Sequence, residues 1–171
     1  MRTLLNGRGA SRGFSLIETL FVLGIMGVVA GMAGLQMSAS GPSFRGDGAM
    51  RVVMSQMRTA RELAITQRRY MRVVFTAPNL VQVLREEVPG PATTLVSETY
   101  IEGGVSYSLV AAVPDTPDAF GMGAAIDFGV VTNVKFTPDG TLVNQDGQTA
   151  NGSVFLSIPA AEQSARAVTV L

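Results

Sequence analysis

The residue whose chemistry stands out most is Glu18. It lies in a stretch, Phe14 to Leu35, where only Ser15, Glu18 and Thr19 are more polar than glycine or alanine. A carboxylate in mid-membrane costs roughly 2.5 to 3.5 kcal/mol on insertion scales, and less near the interface, so it calls for a cationic partner. The Gly13-Phe14 junction lies just ahead of it. A cut there would create an α-amino cation one helical turn from Glu18, a pair able to neutralise itself or to cross to a staggered neighbour. The second cluster is cationic. Arg51, Arg58, Arg61, Arg68 and Arg69 fall within about 100° of arc if the segment is one helix, along one flank of its apolar face. Guanidinium groups so placed can neutralise phosphates, and Tyr70 and Phe75 are near enough in sequence to stack on bases.

Other chemistry is excluded by what is missing. The 171 residues include no His and no Cys, which removes imidazole bases, thiol nucleophiles, disulfides and the usual nitrogen and sulfur zinc sites. No Ser, Lys or carboxylate has a visible base partner, so neither an enzymatic role nor a cofactor is expected. Asp139-Gly140, Asn144 and Asp146-Gly147 offer oxygens to a calcium ion, but their spacing is not that of the twelve-residue calcium loop. Asp-Gly pairs are ordinary turn formers, and turns are the expectation. Gly103-Gly104 and Gly121-x-Gly123 lack the helix and the Lys-Ser/Thr of a phosphate loop. Asn151-Gly152-Ser153 reads as a hairpin turn as readily as a glycosylation sequon.

Charge is distributed unevenly along the chain. Apolar residues make up 47% and charged residues only 15%, with 13 bases against 13 acids. The first thirteen residues carry Arg2, Arg8 and Arg12 with no acid. Residues 45–85 hold eight arginines against Asp47 and Glu62, whereas residues 86–171 hold Lys135 and Arg166 against ten acids. The two halves should attract each other, which weighs against the arginine flank as a DNA-binding face.

The elements that must position these groups follow from periodicity. The 22 residues from Phe14 to Leu35 make about 33 Å of helix, enough to cross a bilayer core. The arginine-rich flank puts the N-terminus on the cytoplasmic side. A secretory signal would have a shorter apolar core and a small-residue cleavage site after it, so the segment reads as an anchor. Gly24, Gly27, Gly31 and Gly34 line one stripe of that helix, where another helix could approach closely. Ser38-Ala39-Ser40-Gly41-Pro42-Ser43 reads as a hinge or short linker. Beyond it Met50, Val53, Met54, Met57, Ala60, Ala64 and Ile65 recur at helical spacing and predict an amphipathic helix packed on a core.

After Arg69 the pattern changes to short β-branched and aromatic runs between Pro, Gly and Asn, which predicts antiparallel sheet. Expected strands are 71–76, 80–85, 105–110, 130–137, 141–143, 154–158 and 167–170. Residues 111–125 read as a loop.

The run Arg12-Gly13-Phe14-Ser15-Leu16-Ile17-Glu18-Thr19-Leu20 resembles the prepilin cleavage motif of type IV pilins and type II secretion pseudopilins. The resemblance implies cleavage after Gly13 by a prepilin peptidase, N-methylation of Phe14, and a role for Glu18 in subunit docking. Val134-Lys135-Phe136-Thr137-Pro138-Asp139-Gly140-Thr141-Leu142, with Ser153 to Ser157 and Arg166 to Val170, resembles the globular domain of the GspH/FimT family of pseudopilin H and minor pilins. Relatives often continue past the last strand with a glycine and arginines, whereas this sequence stops at Leu171, so the basic tail tied to DNA uptake in some FimT proteins is not expected. The implied organisation is α+β and pilin-like: a cleaved leader at 1–13, a transmembrane helix at 14–37, a hinge at 38–44 and a periplasmic domain at 45–171. The implied partners are the peptidase, the inner membrane and other pilins or pseudopilins in a filament. The implied work is a minor pseudopilin's part in type II secretion, or alternatively a minor pilin's in a type IV pilus. DNA is the weaker candidate partner, with Arg58, Arg61, Arg68 and Arg69 as its contacts.

Overall fold

A computed structural model describes residues 14–111, 123–129 and 133–170. The leader, Gly13 and most of the loop expected at 111–125 lie outside the described residues. The chain divides into two compact units, Met1–Ser40 and Gly41–Leu171. One helix, α1 (Leu16–Gln67), contributes to both, and nine strands follow it. The class is α+β, as expected.

Residues 38–44, expected as a hinge, are helical, and Pro42 lies inside α1. Proline removes one backbone donor from a helix, a cost that neighbouring contacts must offset. Those contacts come from the far end of the chain. Arg166 donates to Ser43 Oγ at 2.8 Å and to Asp47 Oδ1 at 2.6 Å. Gly46 lies so close to the Ser164 carbonyl that a Cβ at that position would overlap it. A turn of helix just past Pro42 is thereby tied to the last strand.

The second unit carries the core. Its strands are β1 (Met71–Thr76), β2 (Leu80–Glu86), β3 (Thr93–Tyr100), β4 (Ser106–Tyr107), β5 (Ile126–Asp127), β6 (Asn133–Phe136), β7 (Leu142–Val143), β8 (Gly152–Ile158) and β9 (Ala161–Val170). They form two antiparallel sheets rather than one. The first has the order β3-β2-β1-β6-β7. In the second, β8 pairs with β9 along one side and with β5 and β4 along the other. The expected 71–76 and 80–85 hairpin forms with Thr76 opposite Leu80. The strand expected at 105–110 is only two residues long, and that expected at 130–137 is described from Asn133.

Alternation along β1 and β2 turns Met71, Val73, Phe75, Val81 and Val83 inward. Ala49, Val53, Met57, Ala60 and Ala64 of α1 meet them, together with Val154, Leu156 and Val168 of the second sheet. Met50 and Met54 pack at the margin of this core, and Ile65, expected in it, is exposed. The small side chains at positions 60 and 64 let the helix lie close to the sheets. Phe75 stacks on Phe128 at 6.0 Å and meets Tyr107 edge-on at 5.9 Å. Burial pushes the Tyr107 phenol's pKa up, so the hydroxyl stays protonated and donates to the Leu80 carbonyl.

Candidate functional site

In the first unit the chain enters α1 through Ser15, whose carbonyl accepts the Thr19 N–H at 3.1 Å. The Thr19 hydroxyl donates back to the Leu16 carbonyl at 2.9 Å. Glu18 therefore sits in the first helical turn. A carboxylate there faces the partial positive charge of unpaired backbone N–H groups, which stabilises it within a sequence otherwise hostile to charge. Phe14 and Glu18 are both exposed. Leu16–Gly34 is long and apolar enough to cross a membrane, at 19 residues or about 28 Å, and none of it is buried. Gly24, Gly27, Gly31 and Gly34 have no atom beyond the local helix backbone within 4 Å of where a Cβ would stand. The stripe is open.

Residues 8–34 match the family described as the prokaryotic N-terminal methylation motif. This supports a type IV pilin-like protein. The matched stretch contains both the Gly13-Phe14 junction and Glu18, so the pilin-like reading and the apolar helix rest on the same residues. That helix, near the N-terminus, fits the membrane anchor of such a protein. Neither the curated proteins nor the solved structures include a match to the chain.

In the second unit Arg51, Arg58 and Arg61 of the arginine flank stay on α1, and Arg68 and Arg69 lie past its end. Helix α1 ends at Gln67, and Arg68 takes a left-handed conformation with φ 52°. The Arg69 N–H then donates to the Ala64 carbonyl at 3.2 Å, the closing bond of a Schellman-type cap. Arg68 is thus a capping residue where glycine is usual. Arg69, half-buried, turns its field toward Glu87. Phe75 is buried in the core and cannot stack on a base. Tyr70 remains accessible, with Lys135 Nζ 5.2 Å from its ring centre.

Arg58 and Arg61 stay together on the helix. They form one lip of a groove of about 450 Å³ whose apolar lining includes Met54, Met57, Leu142 and Val168. Asp139 also lines it, its carboxylate engaged by Thr137 and Thr141. The Thr137 hydrogen bond, with help from Thr141, holds the Asp139 pKa below the usual carboxylate value. Among the described residues neither Arg58 nor Arg61 forms an ion pair.

Asn144 and Asp146 are turn residues. Asn144 Oδ1 accepts from the N–H groups of Asp146 and Gln148 at 2.9 and 3.0 Å. Among the described residues no group of three His, Cys, Asp or Glu side chains is placed to hold a metal.

The expected attraction between basic and acidic halves takes specific forms. Arg72 pairs with Glu86 and Arg85 with Glu87, basic half to acidic half. The third pair, Arg166 with Asp47, joins the minority charge of each half. Net charge by segment could not have located it. Sequence reasoning also missed Gln56, which accepts from Ser97 Oγ and donates to Thr99 Oγ1, holding β3 against α1.

Proposed function

We propose that this chain is a minor pseudopilin of the type II secretion pseudopilus, a structural subunit rather than an enzyme. The observation that carries the reading is the methylation motif at residues 8–34, with Glu18 in the first turn of an exposed apolar helix. In this reading the N-terminus is cytoplasmic, the second unit is periplasmic, and a prepilin peptidase cuts after Gly13 and leaves an N-methylated Phe14. The new cation then meets Glu18, of the same chain or of a neighbour, and the helices bundle along the glycine stripe. The resemblance at residues 134–142, 153–157 and 166–170 supports the pseudopilin H type. The same motif suits a minor pilin of a type IV pilus, the alternative reading, whose fibre is extracellular.

Co-expression with a prepilin peptidase tests the common part. Mass spectrometry should find a mature chain beginning at methylated Phe14, and Gly13→Val should block the cut. Cleavage after Gly34 or Ala39 instead would overturn it. Deletion in the native host then separates the two services: loss of enzyme secretion with intact pili supports the pseudopilin, and the reverse result supports the pilin.

A further inference from the structure

Among the described residues, two sheet edges in the second unit pair with no further strand, and they are complementary. At β9 the register decides which backbone groups are free. The Phe155 N–H donates to the Ala125 carbonyl at 2.7 Å, and its carbonyl accepts from the Ser108 N–H at 3.3 Å. Both bonds point away from β9. Phe155 lies opposite Ala167, and Ser153 opposite Thr169, so the peptide groups of Ala167 and Thr169 face outward from the sheet. Further back on the same edge, Arg166 Nη1 covers the Gln163 and Ala165 carbonyls, at 3.0 and 2.7 Å. No described residue bonds the outward groups of Ala167 and Thr169. Thr169, with Val168 and Val170 beside it, lines the groove that Arg58 and Arg61 overlook.

The other edge is β3, the outermost strand of the first sheet. It is eight residues long and contains neither Lys nor Pro, two devices by which edge strands are kept from pairing, and a β-bulge leaves Val96 without a partner on β2. Leu95, Val96 and Tyr100 are exposed on it. Glu98 lies within the strand and Glu102 just beyond it, and among the described residues neither forms an ion pair. A long, apolar, acidic edge and an open edge beside an apolar groove with two free arginines are matched in hydrogen bonding, hydrophobicity and charge. Asp139 shares the groove lining with the two cations, and Arg51 and Glu62 flank Arg58 on the helix.

We propose that β3 of one copy adds to the β9 edge of a second copy, with Glu98 and Glu102 reaching Arg58 and Arg61. This is strand addition, in which main-chain bonds give affinity and side chains give selectivity. Because two different edges meet, the contact is heterologous and repeats from copy to copy. It extends the filament reading but stands on separate residues, away from the processed N-terminus.

The chain has no cysteine, so single cysteines can report the contact in the full-length protein in membranes. Chains carrying Leu95→Cys or Val96→Cys are mixed with chains carrying Ala167→Cys or Thr169→Cys and oxidised, with Ser55→Cys on α1 as the control. Mixed β3–β9 dimers should exceed control dimers. Arg58→Glu with Arg61→Glu should cut their yield about fivefold, and Glu98→Arg with Glu102→Arg on the partner should restore it. Dimers only between two β3 cysteines, no dimer above control, or cross-links of β9 solely to a different protein would each overturn the proposal. N-terminal processing is scored on the same samples. Normal processing without β3–β9 dimers overturns the edge pairing alone; dimers without processing at Gly13 overturn only the filament reading.

Discussion

Arg166 and Asp47 lie 119 residues apart and meet at 2.6 Å, and this pair holds the last strand against helix α1 just past its internal proline. Arg166 makes four interactions at once: Asp47, Ser43, and the carbonyls of Gln163 and Ala165. The first two reach the helix and the last two stay on β9. The side chain therefore couples the two elements rather than decorating either.

Replacing Arg166 should show that coupling. The pair is partly exposed, at 26% and 40% for the two side chains, so its Coulomb energy is discounted for solvent. Arg166→Ala should destabilise the chain by roughly 1 to 2 kcal/mol, most of it from uncapped carbonyls and lost hydrogen bonds. Arg166→Lys should recover less than half, because an ammonium cannot fork to four acceptors. Denaturant unfolding of the detergent-solubilised chain checks both, and a Lys variant equal to wild type would refute the multidentate account.

At Arg68 the expected effect has the opposite sign. A side chain at φ 52° bears a steric cost that glycine does not. Arg68→Gly should raise stability by about 0.5 kcal/mol, since glycine's larger unfolded-state entropy takes back part of the relief. Arg68→Val should lower it, because β-branched residues tolerate this backbone poorly. Thermal melts of the two variants against wild type give the order directly.

Why the sequence revealed some of this and not the rest is a matter of periodicity. Met71 to Thr76 alternates inward and outward against one buried face, and so does Leu80 to Arg85, so both were legible. Strand β3 was not, because Thr93, Thr94, Leu95 and Val96 are all exposed and no burial period is written into them. Pro42 suggested a break because proline's local cost is visible in sequence, whereas Arg166, its distant tether, is not. The arginine arc failed at Arg68 for a related reason: the pattern changes only after Arg69, and the cap carries no glycine to mark the helix end two residues earlier. The reading of Glu18 uses no tertiary information. Its meaning depends on a junction four residues away and on an apolar run, both contiguous.

Acid should weaken the second unit through Glu87 and Asp139. The Thr94 hydroxyl and the Arg85 guanidinium hold the Glu87 carboxyl below the ordinary value of 4.5, and Asp139 is held below 3.8. Carboxyls with lowered folded-state pKa values contribute stability that is present above the unfolded value and disappears as pH falls through the folded one. Melting temperature should thus fall as pH drops below about 4.5, and Glu87→Gln should flatten the upper part of that fall. Melts from neutral to about pH 3 make the comparison. A Gln variant with an unchanged slope would remove Glu87 from the account.

The arginine lip also sets what polyanions should do. Residues 45–171 carry ten bases and twelve acids, so the domain as a whole repels DNA, and Arg58 and Arg61 are the pair that attracts it at the groove. Two phosphate contacts give a salt slope of about −2 on a double-logarithmic plot, against the steeper slopes of dedicated DNA-binding surfaces. With Phe75 in the core, Tyr70 is the one aromatic of the expected stacking pair left at the surface. Duplex binding by the solubilised chain should be weak at low salt and absent near physiological salt, and Arg58→Gln with Arg61→Gln should abolish the residual binding. Arg68→Gln should leave it nearly unchanged, since Arg68 lies past the helix end and does not line the groove. Tight binding at physiological salt that depends on Arg58 and Arg61 would favour a DNA-uptake role over the filament subunit.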